Sequence, residues 1–215
     1  MVRPLILALS LAALIHACAP KVAPDTMRAI VSVESGGNPH ALNDNTTGTR
    51  YCTRSSCSKD EAVRIADALI GAGHSVDIGL SQVNSRNFPG LGVTAEQMLE
   101  PCANLRAGSL ILARAYQGSA AHYADQGQAL YHALQAYNSG NRDGAPRYAR
   151  LVIAAATPSS DAPVVPSIAL LTQNTPRHPE ARQWARTVVV RRHPERGFSR
   201  STVAVLTQHS SFGGW

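Results

Sequence analysis

Met27-Arg28-Ala29-Ile30-Val31-Ser32-Val33-Glu34-Ser35-Gly36-Gly37-Asn38-Pro39 is the stretch whose reading decides the fold. Met27, Ile30, Val31 and Glu34 recur at i, i+3, i+4 and i+7, so they share one face of a helix. Asp25 is expected to cap that helix and Gly36-Gly37 to stop it. The stripe that should face the core therefore ends in a carboxylate, in the last turn. Burial and the negative end of the helix dipole both disfavour a charged carboxyl there. A carboxylic acid that keeps its proton near neutral pH is what a general acid requires. The plainer alternative is a helix-end glutamate with its head in water, and this helix alone does not separate the two.

Outward from this helix the patterning is mainly helical. Ser58-Lys59-Asp60-Glu61 reads as a capping box opening a second helix that ends near Gly71. Thr94 begins a short helical turn, and Pro101 introduces a helix over Cys102 to Tyr116. Another helix spans Gln128 to Tyr137, with Leu130, Ala133, Leu134 and Tyr137 on one face. A last helix runs from Arg147 to Ala156, with Tyr148, Leu151, Val152 and Ala155 as its apolar side. Between these, Val76, Ile78 and Leu80 alternate within His74 to Asn84, which suits a short strand or hairpin. Gly36 to Cys57 has no periodicity and reads as a long connection of the kind that is commonly functional or disordered. The expected fold class is mainly α with minimal β, in one domain over residues 18–156.

The two ends differ from this domain. Arg3, the apolar run Pro4 to Ile15, and His16-Ala17-Cys18 have the layout of an export signal over residues 1–17, cleaved before Cys18. A buried first helix, an uncleaved anchor and a lipoprotein box at Ile15-His16-Ala17-Cys18 are the alternatives. Thr157 to Trp215 holds six of the 13 prolines and only brief apolar runs, so it is expected to be a disordered tail. Of the formal charge of +6, residues 18–156 contribute +1 and the tail +4. The domain is near neutral and no nucleic-acid partner is implied.

Four cysteines in an exported chain read as two disulfides, with three possible pairings. Cys52 and Cys57 lie close together in a polar loop and are expected to pair, which leaves Cys18 with Cys102. No C-x-x-C or H-E-x-x-H spacing is present, so neither a metal nor another cofactor is expected.

Three strings fall in order along the chain: Glu34-Ser35-Gly36-Gly37-Asn38-Pro39, Asp77-Ile78-Gly79-Leu80-Ser81-Gln82-Val83-Asn84, and Ala136-Tyr137-Asn138-Ser139-Gly140. Each alone is weak. Together they resemble the goose-type-lysozyme-like lytic transglycosylases (the SLT family), and most of all the small ones that accompany type IV secretion systems. The resemblance covers residues 18–156 and implies a lysozyme-like fold. It implies that Glu34 is the acid/base glutamate and Ser35 the serine that follows it. Gly79, Leu80 and Gln82 match the Gly-Leu-x-Gln motif that borders the saccharide groove, with Ser81 where methionine is often found. Asn84 matches a polar position of a related variant. Tyr137, Asn138 and Gly140 match Tyr-Asn-x-Gly, whose asparagine holds substrate, and Tyr148 looks like the late tyrosine beside the glutamate. Cys18-Ala19-Pro20 and Pro101-Cys102 also look like the secretion-associated branch, which supports the Cys18–Cys102 pairing.

Each matched residue has a plainer reading. Tyr137 and Tyr148 suit core packing, Asn138 to Gly140 suit a helix stop, and Gln82 and Asn84 suit loop hydrogen bonding. Asp77 could be the second carboxylate that hydrolytic glycosidases use, or could cap a turn. The resemblance implies a peptidoglycan lytic transglycosylase of the periplasm that acts on glycan strands with one carboxyl group. Its tail could engage secretion-system components. A hydrolytic muramidase and a non-catalytic wall-binding adaptor are the competing expectations.

Overall fold

The computed structural model describes residues 10–157, and the described chain begins with a helix, α1 (Leu11–Cys18). Ser10 caps it, its hydroxyl accepting from the Ala13 N–H at 3.3 Å. Ile15 is buried, and Leu11 and Leu14 pack on the core. The cleavage expected before Cys18 would fall at the C-terminus of this helix. The expected leader's first nine residues and the expected tail beyond Thr157 lie outside the described residues.

Helix α2 (Pro24–Ser35) carries the decisive stripe. Its cap is Ala23 with Pro24 in the first turn, while Asp25 bonds to Arg28 at 3.2 Å instead of capping. Proline suits this place because its missing N–H would be unpaired there anyway. Gly36, at φ 62°, ends the helix in the left-handed region where glycine carries no Cβ penalty. Met27, Ile30 and Val31 are fully buried. Burial of each stabilises by about 1.5–3 kcal/mol, which sets the rotation of α2 and brings Glu34 to the margin of the core.

The stretch that lacks periodicity holds two strands, β1 (Leu42–Asp44) and β2 (Thr49–Tyr51). They pair with β3 (Val76–Ile78) and β4 (Val83–Asn84) in an antiparallel sheet of order β2-β1-β3-β4. Leu42 faces Ile78, Asn43 faces Asp77, and Asp77 faces Asn84 across the strands. All three residues of β3 are buried, so its alternation does not mark an exposed face. The β1–β2 turn is built by Asp44, which accepts from the Thr46 N–H, the Thr47 hydroxyl and His74 Nδ1 at 2.9, 2.7 and 2.8 Å.

Burial pushes the Asp44 carboxyl up, but these three hydrogen bonds, with the charge of His74, outweigh it and hold it below the ordinary value of 3.8. Its stabilising contribution is therefore complete above that value and is lost as pH falls through the lowered one. Urea melts taken from pH 5 down to pH 2 should show a loss of stability that is smaller in Asp44→Asn. Parallel slopes in the two proteins would contradict this.

Helix α3 (Lys59–Gly71) opens at Ser58, whose hydroxyl accepts from the Glu61 N–H at 3.3 Å. Two single-turn helices follow, α4 (Phe88–Leu91) and α5 (Ala95–Met98), the latter with a reciprocal Thr94–Gln97 capping box. Helix α6 (Pro101–Ala120) runs a turn further than its expected end at Tyr116. It packs along α7 (Gln126–Ser139), and α8 (Pro146–Ala156) lies against both α7 and α2, while α1 rests on α6. Of the expected apolar side of α8, Val152 is buried and Tyr148 and Ala155 pack on the core, whereas Leu151 is half exposed; Ala149 and Ala156 complete the buried face. Small alanines let α8 approach its neighbours closely and turn Tyr148 toward the end of α2.

All four cysteines are in disulfides, Cys18–Cys102 and Cys52–Cys57. The first ties the end of α1 to the start of α6. Among the described residues no helix is long and apolar enough to cross a membrane.

Candidate functional site

Two chain segments far apart in sequence converge on the last turn of α2. Glu34 is half-buried there, and the Tyr148 hydroxyl of α8 donates to its Oε1 at 2.8 Å. The half-buried position corrects the expectation of a carboxyl sunk in the apolar stripe: the helix ends as the core ends, so Glu34 lies at the rim. The next residue, Ser35, turns the other way. Its hydroxyl donates to the Leu80 carbonyl at 2.8 Å and joins α2 to the loop between β3 and β4.

That loop, Gly79 to Gln82, is shaped by two left-handed residues. Gly79 has φ 77°, and a Cβ there would lie 2.5 Å from Asn104 Nδ2 and 2.8 Å from the Met98 carbonyl oxygen. Glycine is required for both reasons. Gln82 adopts φ 48° without being glycine, a conformation that costs on the order of 1–2 kcal/mol. Its amide offsets this: Nε2 donates to the Gly79 and Ala41 carbonyls at 2.9 and 3.0 Å. Buried Gln82 thus uses its nitrogen to hold the loop.

Helix α7 supplies Tyr137 and Asn138. The Tyr137 hydroxyl donates to the Ser81 carbonyl at 2.7 Å, and its ring lies nearly parallel to that of Tyr148 with centroids 6.4 Å apart. Core packing and site geometry are one arrangement here. Asn138 is buried on α7. Gly140, at φ 80°, stops the helix directly behind it.

Glu34, Ser35, Gly79, Gln82, Tyr137 and Tyr148 are thus connected by hydrogen bonds and ring stacking, with Asn138 next to Tyr137. Asn84 is placed differently. Its amide donates to Asp77 Oδ1 and the Ser75 hydroxyl at 2.8 and 2.9 Å, and its oxygen accepts from the Arg86 N–H. Asp77 is fully buried in the sheet and also accepts from Asn45 at 2.7 Å. Its carboxyl braces strands β1, β3 and β4. Asn104 and Gly108 of α6, which cradle Ser81, are the residues that sequence reasoning missed. The available signal was a polar residue at i and a glycine at i+4 on a stripe continued by Ile111 and Leu112.

The family model described as the transglycosylase SLT domain matches residues 12–147. The chain belongs to that family. The match of the SLT domain starts inside α1, in keeping with the packing of that helix on the core. Curated relatives include a type IV secretion system protein virB1 of Brucella abortus biovar 1 (strain 9-941), 41% identical over 147 residues, which cover 65% of this chain and 60% of the relative. A protein virB1 of Agrobacterium fabrum (strain C58) is 41% identical over 125 residues, 58% of this chain and 49% of the relative. Another, of Rhizobium radiobacter, is 42% identical over 142 residues, 65% of this chain and 57% of the relative. The SLT chain thus spans about half to three fifths of the length of the curated relatives it matches. No solved structure matches it.

Proposed function

We propose that this SLT domain is a peptidoglycan lytic transglycosylase in which Glu34 is the acid/base group. The observation that carries the reading is the Tyr148 hydroxyl on Glu34 Oε1 at 2.8 Å, at the half-buried end of α2 beside the Gly79–Gln82 loop. Protonated Glu34 gives its proton to the oxygen that links N-acetylmuramic acid to N-acetylglucosamine, and that bond breaks. The 2-acetamido group of the muramic sugar stabilises the positive anomeric carbon, so no protein nucleophile is needed. Ionised Glu34 then takes the proton of the muramic 6-hydroxyl, whose oxygen closes on the anomeric carbon. The products are a 1,6-anhydro end and a free N-acetylglucosamine end, with no water consumed. One carboxyl group serves both steps.

The other side chains orient rather than react. Tyr148 holds one oxygen of Glu34 and leaves the carboxyl aimed. The Asn138 amide and the Gln82 Oε1, whose Nε2 is occupied, suit the hydroxyl and acetamido groups of a sugar. Ser35, Gly79 and Tyr137 hold the loop that presents Gln82, and Asn84 supports the loop from the sheet. Asp77 is too deeply engaged to activate a water, which favours transglycosylation over hydrolysis.

Two disulfides suit an oxidising compartment, and an exported domain acting in the periplasm fits both this and the substrate. The names of the curated relatives suggest work beside a type IV secretion system, with the wall opened locally for its assembly and the tail contacting its components. Digestion of purified sacculi followed by mass spectrometry tests the reaction. The released muropeptides should be lighter by one water than hydrolytic products, and a chain ending at Thr157 should release the same species at a similar rate. Products of full mass would make the protein a muramidase, and no release would leave a wall-binding adaptor.

A further inference from the structure

The assigned site does not explain why a buried asparagine on α6 uses its whole amide on loops. Asn104 is 1% exposed. Its Oδ1 accepts from the Ser81 N–H at 2.8 Å and from the Ser81 hydroxyl at 2.6 Å. Its Nδ2 donates to the Ile78 and Met98 carbonyls, both at 2.8 Å. Two donors and two acceptor directions are all that a side-chain amide has. One side chain therefore joins the end of β3, the Gly79–Gln82 loop and the end of α5.

The loop so held is the one that meets Glu34 from two sides. The Leu80 carbonyl receives the hydroxyl of Ser35, adjacent to Glu34, and the Ser81 carbonyl receives Tyr137, which lies against Tyr148. Gly108 makes the fit possible, because a Cβ on it would stand 2.4 Å from the Ser81 hydroxyl oxygen. Ser81, where the family often has methionine, is thus matched by an amide and a glycine opposite it. Left-handed Gln82 raises the demand, since such a loop conformation persists only when its surroundings over-determine it.

We propose that Asn104, with Ser81 docked on it over Gly108, is a positioning residue for the Glu34 chemistry: it sets the height of the Gly79–Gln82 loop and, through Ser35 and the Tyr137–Tyr148 pair, the aim of the carboxyl. The proposal rests on the reading of Glu34 given above. Near-attack geometry makes rate steeply sensitive to displacements of about 1 Å, of order 10²-fold.

Asn104→Leu, close in size and without hydrogen bonds, tests this in the full chain with soluble glycan strands as substrate. At a temperature where circular dichroism shows the variant fully folded, kcat should fall about 10–100-fold with KM changed much less, and the pH–rate limb that reports the acid should move. Unchanged kcat and limb with only a lower Tm would overturn the proposal and leave Asn104 a purely structural brace. If Asn104→Leu does not fold, Ser81→Ala decides: it removes only the hydroxyl and should lower kcat roughly 3–10-fold, since one of the two bonds to Oδ1 remains. A parental kcat in Ser81→Ala would equally overturn it. Glu34→Gln measured in parallel separates the two ideas, because its retention of activity would sink the Glu34 reading itself.

Discussion

Glu34→Gln is expected to lower the rate of sacculus digestion by about 10²–10⁴-fold while leaving the thermal midpoint within a few degrees of the parent. The amide is isosteric with the carboxyl and can still accept from Tyr148, whose hydroxyl lies 2.8 Å from Oε1, so packing at the rim survives. What disappears is the proton for the leaving oxygen and the base for the muramic 6-hydroxyl, both from the same side chain. Tyr148→Phe keeps that carboxyl but removes the hydroxyl that orients its Oε1, and a smaller fall, on the order of tenfold, is expected. Initial rates on purified sacculi check both. A glutamine variant that digests at the parental rate would remove Glu34 from the reaction and with it the proposed mechanism.

The Cys18→Ala/Cys102→Ala protein is expected to lose the most stability of any change considered. That disulfide spans 84 residues of sequence, against 5 for Cys52–Cys57. Loop-closure entropy then gives about 4.5 kcal/mol for the long link and about 2 kcal/mol for the short one. In a domain of this size each kcal/mol moves the midpoint by roughly 2–4 °C, so a fall on the order of 10–15 °C is expected for the long link. Part of the effect is local: without the link α1 can peel from α6 and expose Ile15, which is 2% accessible in the fold. Differential scanning calorimetry of the two double variants should rank them in this order. Equal midpoints would mean that α1 stays docked by packing alone.

Much of the fold was legible because its signals are local. The i, i+3, i+4, i+7 stripes of α2 and α7, the Ser58 cap and the Thr94 box all act within two turns of chain, and the observed helices follow them. The boundaries slipped where a local preference had a competitor. Asp25 was expected to cap α2, but Pro24 took the first turn and Asp25 paired with Arg28. Leu151 was expected on the core side of α8 with Val152, but Ala149 and Ala156 lie there beside Val152 and leave Leu151 half exposed. Strands β1 and β2 escaped notice because three residues are too few to show alternation, and Asn43 and Asp44 are buried through hydrogen bonds that no hydropathy pattern announces.

By itself the sequence determined where most of the helices lie, that four cysteines make two links, and which short strings match the family. Those properties depend on neighbours a few residues away, or on motifs that can be matched without coordinates. Only the tertiary structure decided that the Tyr148 hydroxyl donates to Glu34 Oε1, that Asp77 is engaged by the sheet, and that Asn104 and Gly108 cradle the loop. Hydrogen bonds and close approaches between distant segments depend on how helices and sheet are docked. Docking is set by the summed burial of many side chains, a quantity that no single stretch of the chain contains.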